Sequence, residues 1–316
     1  MKQLVSVSCI ALLCVCCATV LADEKSKPRA KPPGEWPRDV REVFFDDAAQ
    51  QLVGGRPDYG EVAAARVAAA SGGSTSSGGD SGGSGDYAWS KLVDADTLET
   101  EIKRQLTPMQ PLVATPAAFK GGGYRDCRNR FTWLATLFTV AGDYDGRVRW
   151  QDTATALGQL YGRAGANCKV GTDQSFRESQ LRVQDLADLV RGGRPDAPEA
   201  KPDVGWDQIA DRSPLMRRME SCLGEGISPK ASDRRALSNN SEDLRHEAQL
   251  MALMAEVIMQ PGFDYADDES YRNHSTQLRD ASVALTQAID LENFEAAREA
   301  IGNMQKACSN CHDEWR

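Results

Sequence analysis

The chain has 316 residues, 41% hydrophobic and 26% charged, with 46 acidic against 37 basic side chains. A formal net charge of −9 excludes a protein that holds nucleic acid by neutralising phosphates; it favours solubility and basic partners. Beyond one short run at the start, no stretch is apolar over the roughly 18 residues that a membrane span needs, so no integral membrane segment is expected.

The first residues read MKQLVSVSCIALLCVCCATVLADEK. Lys2 precedes an apolar run from Leu4 to Val20, and Val20-Leu21-Ala22 has the form of a small-residue cleavage site. This predicts a signal peptide over 1–22, cleaved after Ala22, and an exported or periplasmic mature protein. Cys16 and Cys17 follow Val15 and Cys16, a poor match to a lipoprotein acceptor. Cleavage removes four of the nine cysteines and Lys2, which takes the net charge to −10. Residues 23–86 are expected to form a flexible tether with one short helix at VREVFFDDAAQQL. The tether ends in a disordered Gly/Ser-rich linker, 71–86, which cannot bury enough apolar surface to fold.

From residue 87 the chain repeats itself. WSKLVDADTLETEIKRQL (89–106) aligns with WDQIADRSPLMRRMESCL (206–223). Trp89 meets Trp206, Leu92 meets Ile209, Asp94 meets Asp211 and Leu98 meets Leu215. Downstream, Arg125 meets Arg245, Gly142 meets Gly262 and Phe176 meets Phe294. A fixed offset of this kind marks one ancestral unit present twice. Each copy has four amphipathic segments, in the second copy near 206–225, 241–259, 268–290 and 292–315. The expected fold class is therefore all-α: two tandem four-helix bundles, 87–193 and 205–316, joined by a Pro-rich linker at 194–204. The last segment is the clearest. Phe294, Ala297, Ile301, Met304, Cys308, Cys311 and Trp315 recur at steps of three and four, one apolar stripe facing a core.

That segment ends in Cys308-Ser309-Asn310-Cys311-His312, the attachment signature of a c-type haem. Two thiols one helical turn apart can meet the two vinyl groups on one porphyrin edge, and the following histidine can ligate the iron. A thioredoxin-like redox pair would sit in a βαβ pattern, and none surrounds the motif. A zinc site would need a second Cys/His pair, whereas His246 and His274 stand alone. The reading is one covalently attached haem c.

The stretch CSNCHDEWR closing a four-helix repeat resembles cytochrome c′ and its low-spin relatives over about 205–316. The resemblance implies that His312 is the proximal ligand, that Arg316 lies beside its imidazole and that Trp315 takes the family's aromatic place. On the distal side it implies Arg212 near a propionate and, one turn later, Met216 over the iron. Independently, Ile209, Arg212, Met216, Met219 and Leu223 share one helix face, so Met216 and Met219 are both candidates for a sixth ligand, with Met251 and Met254 weaker ones. A methionine ligand would stabilise ferrous iron and suit electron transfer with a redox partner protein, still unidentified. A five-coordinate iron would instead bind gases such as nitric oxide or carbon monoxide. A third reading is an interaction protein with structural haem. No enzyme is expected, since no distal His/Arg acid–base pair of a peroxidase is recognisable. His246 and His274 read as solvated or capping residues. Relatives dimerise through their first two helices, which implies a homodimer unless the first copy covers that face.

The first copy has no Cys or His at the place matching the motif, LVRGGR (189–194), and is expected to be haem-less. Cys127 and Cys168 could close a disulfide in an oxidising compartment. Cys222 reads as a buried, inert thiol, and the glycine-rich FKGGGYRD as a loop leading into a helix.

Overall fold

The structure is a computed structural model that describes residues 88–195 and 197–315. The expected signal peptide, tether and linker at 1–86 lie outside the described residues, as does Arg316. The fold is all-α, with no strand among the described residues. No described helix is long and apolar enough to cross a membrane.

In the first half α1 spans Ala95–Arg104, α2 Tyr124–Gly142, α3 Gln151–Asn167 and α4 Asp173–Val190. In the second, α5 spans Arg212–Ser221, α6 Ser241–Val257, α7 Glu269–Asp290 and α8 Phe294–Trp315. Short helical turns fill several connections. Residues 191–195 and 197–205 carry no helix, and Gln159 bonds the backbone of Lys201 in both directions.

The expected helices are present, with one break. The segment predicted over 206–225 splits into a turn, Trp206–Ile209, and α5, with Ala210 extended between them. Pro214 explains the split. A proline is tolerated in a first turn, but in a longer helix its ring would clash with the carbonyl four residues back, which is that of Ala210. Side-chain caps start two other helices. Thr172 and Ser175 form a reciprocal capping box on α4, and the Asp268 carboxylate accepts the Ser270 and Tyr271 N–H groups at the start of α7. FKGGGYRD is a kinked π-helical turn at Phe119–Gly123 that runs into α2, with Gly122 at φ 143°, a region only glycine adopts freely.

α2 and α6 are the hydrophobic centres. Nearly every residue from Phe131 to Ala141, and from Ala248 to Val257, is buried. α2 pairs with α3, and α6 with α7, which also pairs with α8. Glycine sets the α2–α3 distance: a Cβ on Gly158 would lie 2.5 Å from Thr139 Oγ1. The expected pairing changes at α5, which packs more closely on α2 of the first half than on α6 of its own. α1 in turn reaches α6 as well as α2.

The contacts between halves are reciprocal. Trp89 and Trp206, matched in the sequence alignment, meet with ring centroids 6.4 Å apart. Glu101 and Arg218, also matched, approach to 3.7 Å. Asp94 on the first half binds Arg245 and Gln249 of α6, while its counterpart Asp211 binds Arg128 of α2 at 2.8 Å. Trp89 with Trp206 and Glu101 with Arg218 join matched positions, as contacts near a two-fold axis do, while Asp94 and Asp211 reach different positions on α6 and α2. The seam is built from the first two helices of each half.

At its centre Glu101 is 4% exposed. Its carboxylate accepts Trp133 Nε1–H at 2.7 Å and the Gln105 amide at 2.8 Å, and its other oxygen lies 3.1 Å from His246 Nε2. Burial pushes the Glu101 carboxyl up, but His246, Arg218 and Trp133 outweigh it and hold it below the usual carboxylate range. His246 is therefore neither solvated nor capping: it is 7% exposed and belongs to this seam.

Cys127 and Cys168, whose pairing the sequence left open, are both free, buried thiols. Cys168 Sγ lies 3.2 Å from Ser179 Oγ. Burial pushes Cys127 up to about 12 and Cys168 up to about 11, which disfavours the reactive thiolate. Cys222 is fully buried as expected, with its thiol on the Glu247 carbonyl.

Candidate functional site

α8 brings the Cys-x-x-Cys-His motif to the end of a buried stripe. Ala297, Ala300, Ile301, Met304 and Ala307 are buried, and the small alanines let α7 approach. Beyond Ala307 burial tapers: Cys308, Cys311 and Trp315 are half-buried and His312 is exposed. At about 100° per residue, Cys308 and Cys311 lie about 60° apart around the helix, and His312 about 40° from Cys308. The two thiols and the imidazole therefore open to the same side.

Three other segments converge on that side. Arg212, at the start of α5, places its guanidinium 5.2 Å from the Tyr265 ring, and its charge acts on Cys311 and the Tyr271 hydroxyl. Tyr265 packs on Trp315 at 4.7 Å, and Tyr271 meets Trp315 edge-on at 6.1 Å. Tyr265 sits at φ 65°, a left-handed conformation unusual for a bulky side chain. The start of α7 is tied to the end of α8 by Ser270, whose hydroxyl donates to Glu314. Burial pushes Cys308 up to about 11 and also raises Cys311, against the pull of Arg212, so both are held as neutral thiols.

Several buried polar groups here face charged neighbours rather than well-aligned partners. The Tyr271 hydroxyl faces Arg212, and the Trp315 indole N–H and His274 face the Glu314 carboxylate. Two of these groups, on Tyr271 and Trp315, belong to the aromatic cluster beside Cys311.

Of the residues expected from the sequence, Cys308, Cys311, His312 and Trp315 share one end of α8, and Arg212 is brought beside Cys311. Met216, one turn after Arg212, is half-buried against the core, and Met219 is 6% exposed. Met251 and Met254 are fully buried within α6. His274 lies 3.5 Å from Glu314 Oε2, and Glu314 projects about 160° around the helix from His312. With His246 in the seam, the three histidines are not assembled into a shared ligand set. Tyr265, Tyr271 and Ser270 were not singled out from the sequence. The aromatic spacing in FDYADDESY was the available signal, but the left-handed turn that aims Tyr265 at Trp315 has no sequence signature outside glycine and asparagine.

The donor set fits a covalently attached haem. It offers two neutral thiols on one face, an open imidazole and a half-buried apolar surface. No protein-family profile, no curated protein and no solved structure matches the chain.

Proposed function

We propose that the chain is an exported c-type haem protein of the cytochrome c′ kind that carries electrons. In this reading Cys308 and Cys311 hold one haem c as thioethers, and His312 ligates its iron. The observation that carries it is the tapering stripe of α8. The buried stripe thins past Ala307, and the two half-buried thiols and the exposed histidine stand on its last turns. Bound haem would supply a one-electron couple. The protein would supply the apolar wall of Tyr265, Tyr271 and Trp315, which excludes water, and the Arg212 charge, which suits a propionate. Met216 or Met219 would complete the iron's distal side and raise its potential. The first half would be a haem-less copy of the same bundle.

A second reading, binding of small gases by a five-coordinate iron, is favoured by the Tyr271 hydroxyl and Trp315 N–H in the aromatic cluster beside the motif. Donors of this kind stabilise a polar bound diatomic.

Optical spectra of the purified exported protein, oxidised and reduced, with and without carbon monoxide, test both. Haem that stays with the chain on a denaturing gel in wild type and is lost in Cys308→Ala/Cys311→Ala supports attachment; no covalent haem in wild type overturns the proposal. Little response to carbon monoxide, with the weak red band of methionine-bound ferric iron, supports electron transfer. High-spin ferrous haem that takes up carbon monoxide at once replaces it with gas binding.

A further inference from the structure

The first half keeps a cavity at the end of the bundle where the second half carries its motif. It measures about 530 Å³, within the range of small-molecule sites. Its walls come from the C-terminal end of α4, with Leu189 and Arg194, and from the approach to α3, with Arg147, Arg149 and Trp150. Glu99 of α1 closes one side. In the repeat alignment Glu99 takes the position of Met216. Trp150 sits at φ 66° directly before α3, a left-handed backbone that is costly for a bulky aromatic, and it holds that conformation on the cavity wall.

The chemistry of the two ends has diverged. Arg149 stacks over the Trp150 ring at 4.7 Å, and Lys103 lies 5.9 Å from the same ring. Glu99 is already committed, accepting the Arg149 backbone N–H at 3.0 Å and pairing with Lys103 at 3.2 Å. Among the described residues none of the guanidinium groups of Arg147, Arg149 and Arg194 is paired with a carboxylate. Among the described residues Asp152 is the other acidic residue on the wall, exposed in the first turn of α3. Among those residues three guanidiniums without a carboxylate partner line one cavity, on a chain of net charge −9. Such groups match the paired oxygens of carboxylates and phosphates.

We propose that this cavity binds a small organic dianion. Arg147 and Arg194 would hold its anionic groups, and Trp150, Leu157 and Leu189 would contact its carbon frame. The proposal does not depend on haem in the other half. Calorimetry and tryptophan fluorescence on the whole exported protein test it, with succinate, inorganic phosphate and neutral glycerol as probes. One saturable site for succinate or phosphate, but not glycerol, is expected. Preference between the two anions assigns the source as carboxylate or phosphate. Affinity should fall at least about tenfold in Arg147→Gln/Arg194→Gln, two exposed positions whose change leaves the core intact. Trp150→Phe should remove the fluorescence response while heat of binding persists. No saturable heat with either anion up to millimolar concentration, or binding unchanged in the double variant, overturns the proposal. The haem spectrum should not move in any arm.

Discussion

The two halves share their helices and differ at the ends of the fourth. α4 stops at Val190, where Gly192 turns left-handed at φ 94° and the Gly193 N–H closes on the Asp188 carbonyl at 2.7 Å. This is a glycine stop of the usual kind. α8 instead continues helically through Cys308, Cys311 and His312 to Trp315. The core of each half is complete without the last turn, so the end of the fourth helix is free to carry different chemistry. In one half it presents thiols and an imidazole beside tyrosines; in the other it borders a cavity lined with arginine. Function is grafted on the scaffold's ends while the shared interior keeps the fold.

The seam between the halves makes the comparison testable, because it decides whether they behave as two units or one. The largest effect is expected from Glu101→Ala. It leaves Arg218 and His246 with a lost buried partner and should cost about 3–5 kcal/mol, as breaking buried ion pairs does. Thermal unfolding followed separately by far-UV circular dichroism and by absorbance of the proposed haem should then shift together. If only the amide signal moves, the halves are independent and the seam is merely a contact.

A smaller loss is expected from Gly162→Ala. The added Cβ would lie 2.7 Å from the Ile209 carbonyl oxygen, where the Trp206–Ile209 turn docks on α3. Overpacking of this size costs about 1–3 kcal/mol. The substitution should lower the urea midpoint without changing the m-value. An unchanged midpoint would mean that the turn yields, and that the second half is not anchored through α3.

Helix positions, the Cys-x-x-Cys-His motif and the inward setting of Met219 were legible because each depends on spacing within one helix. Arg212 was singled out through the family resemblance, and the fold sets its charge to act on Cys311. The seam was not legible. Asp94 and Arg245 are 151 residues apart, and no local period reports a contact of that range. His246 was misread because a periodicity argument scores a polar side chain on a buried face as a break, whereas here Glu101 satisfies it. The split of the first helix at Ala210 was in principle readable from Pro214. The cavity at Trp150 was not, since left-handed backbone leaves no mark on a tryptophan.

The gentlest perturbation is pH. Glu101 is held below its ordinary carboxylate range in the folded protein, so the unfolded chain binds its proton more readily. The associated stability is present above the unfolded value of about 4.5 and drains away as pH falls through the folded one. Below neutral pH, wild type should lose stability more steeply than Glu101→Gln. The slopes should differ by up to about 1.4 kcal/mol per pH unit, the value of one proton. The glutamine keeps an acceptor for Trp133 and cannot titrate, so it separates charge from shape. Urea midpoints of the two proteins between pH 3 and 6 read the difference directly. Parallel curves would show that Glu101 takes up its proton alike in the folded and the unfolded chain, and would reduce the seam to hydrogen bonding alone.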